Sequence, residues 1–138
     1  METKALSEIF DCQATAAVLK AASVLPFAAH AAVLCSLLPL YKGGTPAWIA
    51  FASILVWCVV LYLSIRVNID ARFFALLSAN PDGQQLDLWL REAGLRDHSK
   101  PRTIADRRRG ALRLWRALIL AVAAQIALLL LALLLLLA

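Results

Sequence analysis

Charged side chains make up only 17% of this 138-residue sequence, and three stretches, each long enough to cross a bilayer, contain none. A soluble domain carries about a quarter of its residues as charges, so a water-facing globule is excluded. Histidine occurs only at His30 and His98, and the three cysteines, Cys12, Cys35 and Cys58, are widely separated. That supply matches no structural zinc spacing and cannot form a full set of disulfides. The chain also lacks an HExxH motif, a Gly-rich phosphate loop, a nucleophile elbow and the paired aspartates of membrane phospholipid transferases. His98 stands in "LRDHSKPR", a polar linker, and reads as solvated. No metal, cofactor or catalytic residue is expected, and an enzyme is disfavoured.

What is present is apolar: 62% of residues are hydrophobic. A helix needs about 20 mostly apolar residues to cross roughly 30 Å of hydrocarbon. Residues 21–41, 47–65 and 117–138 satisfy this, and their only strongly polar side chains are His30 and Gln125. Backbone groups in lipid must bond internally, and barrel strands alternate and are about half this length, so the runs are read as helices. The expected fold class is an all-α integral membrane protein with three transmembrane helices: an antiparallel hairpin (21–65), then a third span. A signal peptide ending at Ala29-His30-Ala31 is set aside, because the preceding residues include Glu2, Glu8 and Asp11 and apolar residues continue past the cut.

Lys and Arg concentrate in residues 66–116, whereas the link between spans one and two holds only Lys42. Positive charge stays inside, so the expected localisation is the inner (plasma) membrane, multi-pass, with the N-terminus and residues 66–116 cytoplasmic and the C-terminus outside. Gly43, Gly44 and Pro46 predict a tight outer turn. Residues 1–20, with Leu6, Ile9, Phe10 and Val18, predict an amphipathic cytoplasmic helix, lying on the membrane surface or against the cytoplasmic segment.

That segment is expected to be helical and amphipathic. Span two continues into it and then bends away, with Ile69, Phe73, Leu76 and Leu77 at helical spacing. Asn80-Pro81-Asp82-Gly83 is read as a stop. Leu86, Trp89 and Leu90 form one face of the next helix. Ile69, Phe73, Leu77, Leu86, Trp89, Leu90 and Trp115 are the candidate interface for a partner or the membrane surface.

Thr103 and Asp106 have the capping-box form, which starts the third helix near Ile104, before the bilayer. Arg102, Arg107, Arg108, Arg109, Arg113 and Arg116 then lie just below the hydrocarbon as candidate contacts for anionic headgroups or phosphate, and Trp115 stands at interface depth. Nucleic acid is not expected, since no groove-reading fold surrounds these arginines.

His30 lies nine residues beyond the inner start of span one and Gln125 eight beyond that of span three, so both sit about 12–14 Å into the membrane. They are read as an intramembrane polar pair that bonds helix to helix. Ala21, Ala22, Ala28, Ala29, Ala31 and Ala32 make span one small-sided, and Pro26 is expected to kink it, freeing a carbonyl for Ser23 or a neighbouring helix. The leading functional expectation is a non-enzymatic accessory or scaffold subunit of a larger membrane complex. It would contact lipids with anionic headgroups, and other membrane subunits or further copies of itself. Two alternatives stay open: a self-assembling pore or transport protein, and a redox or enzyme subunit using His30.

Overall fold

The computed structural model describes residues 2–79, Leu88, Glu92 and 103–137, all in helices except Gly43 and Thr103. Helix α1 spans Glu2–Ala21 and a single 3-10 turn covers Ala22–Val24. Helix α2 spans Leu25–Lys42, α3 spans Gly44–Ala79 and α4 spans Ile104–Leu137. Three apolar helical rods, Leu6–Tyr41, Gly44–Ala79 and Ile104–Leu137, are long enough to cross a membrane. At 1.5 Å per residue each is about 50 Å long, which exceeds a hydrocarbon core by roughly 20 Å.

The joint between α1 and α2 follows from Pro26, which has no N–H to give the Ala22 carbonyl. The 3-10 turn closes that gap, because the Leu25 N–H donates to Ala22 O instead. The backbone thus satisfies the carbonyl that Ser23 or a neighbouring helix was expected to take. At the other end, Gly43 adopts φ 79°, ψ −170° and Gly44 φ 71°, a region closed to side-chain-bearing residues, and α3 starts at once.

The start of α4 makes the N-cap bond of the capping box, with the carboxylate taking the threonine hydroxyl. Thr103 Oγ1 accepts from the Asp106 N–H (3.2 Å) and donates to Asp106 Oδ2 (2.7 Å), and the Arg107 N–H closes the first turn on Thr103 O (3.1 Å).

The first and third rods each bury a narrow seam built of three- and four-residue steps, the spacing that keeps one line of side chains facing neighbouring helices. The seams are Cys12, Thr15, Leu19 and Ala22, then Ala29, Ala32, Ser36 and Pro39 on the first rod. On α4 they are Leu118, Val122, Gln125, Leu129 and Ala132. Small residues meet between α2 and α3: Ser36 Oγ donates to Ala32 O (2.9 Å) and lies 3.4 Å from Ser53 Oγ on α3. Of the expected small-sided alanines, only Ala22, Ala29 and Ala32 face inward, while Ala21, Ala28 and Ala31 are exposed.

As expected, the second span continues as helix into the following piece, and α3 runs unbroken to Ala79. Its residues Val67, Ala71, Phe74 and Leu77 enter one core with Cys12 and Leu19 of α1 and Ala111 and Leu118 of α4. Helix α1 therefore packs against α3 and α4, the second of the two places considered for it.

Candidate functional site

Three groups of residues compete for a functional role, beginning with the polar side chains within the apolar runs. Gln125 is 0% exposed, and its Nε2 donates to Ala29 O at 2.9 Å. Its Oε1 is enclosed without a hydrogen-bond partner. His30 is exposed, donates from Nδ1 to Pro26 O one turn back in its own helix (2.5 Å), and meets Trp57 edge to face, ring centroids 5.5 Å apart. The expected pair is corrected on one point: His30 and Gln125 share a level, but their side chains do not bond each other. The reason is rotational. Ala29 lies on the buried seam, and one residue further round the helix turns the His30 side chain about 100° out of it.

The indole Nε1 of Trp57 is enclosed and unpartnered, as is that of Trp115. Among the described residues no group of three or more His, Cys, Asp or Glu could hold a metal ion.

The second group is the arginine cluster on the first turns of α4. Arg108 Nη1 pairs with Asp11 of α1 (2.9 Å) and Arg109 Nη2 with Asp106 (2.6 Å). Two members of the consecutive run are thus turned toward carboxylates of the same chain. Arg107 is half-buried, and Arg113 and Arg116 are exposed. Arg102 lies outside the described residues. Trp115 is half-buried against the core, so its indole packs on the bundle at the depth where a headgroup contact was expected.

These charges set the local titration. Hydrogen bonds from Thr103 and then Arg109 hold the Asp106 carboxyl below its ordinary value. Burial pushes Asp70 up, against the opposing field of Arg66. Burial also raises the Cys12 thiol, helped by the Asp11 and Glu8 carboxylates and opposed by Arg108, which makes it a poor nucleophile.

The third group is the candidate docking stripe. Of Ile69, Phe73 and Leu77, only Leu77 is buried; Phe73 is half-buried and Ile69 is 42% exposed. The buried line falls on Val67, Ala71, Phe74 and Leu77, because residues 69–77 are apolar on most of the wheel and periodicity cannot choose among faces. Leu86, Trp89 and Leu90 lie outside the described residues.

Apolar side chains are also exposed outside the three charge-free runs: Leu6 is 66% and Phe10 70% exposed on α1, and Leu76 is 61% exposed on α3. Leu6 and Phe10 were legible as apolar; that they point away from the bundle follows only from Cys12, Thr15 and Leu19 facing in. Compared with models of known protein families, with curated proteins and with solved structures, the chain matches none.

Proposed function

We propose that the chain is a non-enzymatic multi-pass protein of the inner (plasma) membrane that serves as an accessory or scaffold subunit, docking another membrane subunit through the polar end of its bundle. The observation that carries this reading is the exposure of apolar side chains outside the three charge-free runs, Leu6 and Phe10 on α1 and Ile69 and Leu76 on α3. Outside lipid, apolar surface of this kind marks an interaction site.

Contact pairs support the arrangement. Residue numbers sum to a near-constant value for His30 with Trp57 and Ser36 with Ser53, as an antiparallel α2–α3 hairpin requires. They differ by a near-constant value for Asp11 with Arg108 and Ala29 with Gln125, as parallel first and third rods require. The Lys and Arg excess at one end then favours a cytoplasmic N-terminus and an outside C-terminus.

Purification in mild detergent tests the docking reading. The wild-type chain should bring down a membrane subunit in fixed stoichiometry, and Phe10→Asp with Leu76→Asp should release it while the chain stays in the membrane fraction. A wild-type chain that purifies alone, or a partner that survives both substitutions, would overturn it.

A further inference from the structure

Register places three cations from three rods at one level. Gln125 bonds Ala29, and stepping back nine residues leads along α4 to Arg116 and, along the first rod through its 3-10 turn, to Lys20. Trp57 meets His30, and nine residues onward along α3 is Arg66. All three therefore lie about 14 Å from the same contact layer. That distance is about half a hydrocarbon thickness, and each residue directly flanks a charge-free run.

Their side chains are exposed on three different helices. Among the described residues Lys20 and Arg116 have no ion-pair partner, and Arg66 has only the field of half-buried Asp70 one turn away. Arg113, exposed and likewise without an ion pair, lies one turn below Arg116. Arg108 and Arg109, by contrast, are engaged by Asp11 and Asp106.

From this we infer that Lys20, Arg66 and Arg116 form a belt that binds the headgroups of anionic phospholipids around the bundle. The inference rests on the membrane-spanning reading above. It shifts the lipid contact from the Arg107–Arg109 run to a level about 10–14 Å nearer the hydrocarbon, beyond roughly a Debye length from that run. Long cationic side chains at such a boundary keep their stems along apolar surface and their charge among phosphates.

The full chain is reconstituted in phosphatidylcholine vesicles containing phosphatidylglycerol, and spin-labelled lipids report the relative association of the two headgroups. Resistance to carbonate extraction is measured on the same vesicles. Wild type should resist extraction and favour phosphatidylglycerol about fivefold, roughly the effect of one interfacial cation. The variant Lys20→Gln, Arg66→Gln, Arg116→Gln should resist extraction and lose that preference. The control Arg107→Gln, Arg108→Gln, Arg109→Gln, which removes equal charge, should keep most of it.

Equal loss in both variants, or no loss in the first, overturns the belt while leaving the membrane reading intact. Preference abolished by millimolar inorganic phosphate at constant ionic strength identifies a free-phosphate site and also overturns it. Extraction of the wild-type chain by carbonate overturns the membrane reading, and the belt with it.

Discussion

Gln125 shows how a single side chain can be both a tie and a cost. Its Nε2 bond to Ala29 O joins the first and third rods, while its enclosed Oε1 has no partner. An interhelical bond in a membrane is worth about 0.6 kcal/mol on average, and an unsatisfied buried acceptor costs about 1–3 kcal/mol. The cost is the larger of the two, so Gln125→Leu should stabilise the protein by about 0.4–2.4 kcal/mol in detergent unfolding followed by tryptophan fluorescence. His30→Ala loses the edge-to-face contact with Trp57, about 0.5–1.5 kcal/mol. Because the two side chains share no bond, the double variant should equal the sum of the singles within about 0.5 kcal/mol. A larger coupling energy would mean that they meet after all.

At the scale of elements, the turn between α2 and α3 depends on backbone conformation alone. A Cβ at Gly43 would touch nothing within 4 Å, yet its φ of 79° is strained for alanine. Gly43→Ala should therefore destabilise by about 1–3 kcal/mol without changing the helical content measured by circular dichroism.

The polar ends of α3 and α4 carry opposite pH responses. Asp106 has a lowered carboxyl, so its contribution is present above the ordinary carboxylate range and is lost as pH falls through the folded value. Thr103→Ala removes the first cause of that shift, should flatten the acid-side loss, and costs the helix cap about 1 kcal/mol. Asp70 has a raised carboxyl, so stability is highest at low pH and declines as pH rises from the ordinary value through the folded one. Asp70→Asn should remove that decline and make the protein more stable at neutral pH; a less stable variant would show that the charged form is needed.

For the whole molecule, the proposed topology makes a direct prediction. A reporter fused after Ala138 should read outside and one inserted at Ser99 inside; reports from the same side would defeat the three-span arrangement. The Asp11–Arg108 bridge adds little to this assembly, since both side chains are more than a third exposed and such pairs contribute about 0.2–1 kcal/mol before salt screening. Asp11→Asn should leave the midpoint of unfolding nearly unchanged at physiological ionic strength. The bundle's polar end is held instead by Cys12, Leu19, Val67, Phe74, Ala111 and Leu118.

Local rules were enough to locate three helices able to span a membrane, the glycine turn and the Thr103–Asp106 start of α4. Each depends on neighbouring residues: the length of an apolar run, a backbone that only glycine tolerates, a hydroxyl three residues from a carboxylate. Periodicity did not reveal which faces meet. In the run 126–137 every residue is apolar, so hydrophobicity favours all orientations equally, and in 69–77 Asp70 and Arg72 exclude only part of the wheel; close approach through small residues decides instead. Only the tertiary structure therefore placed Ala29 opposite Gln125, turned His30 toward Trp57, drew α1 into the bundle, and left Leu6, Phe10 and Leu76 outside it.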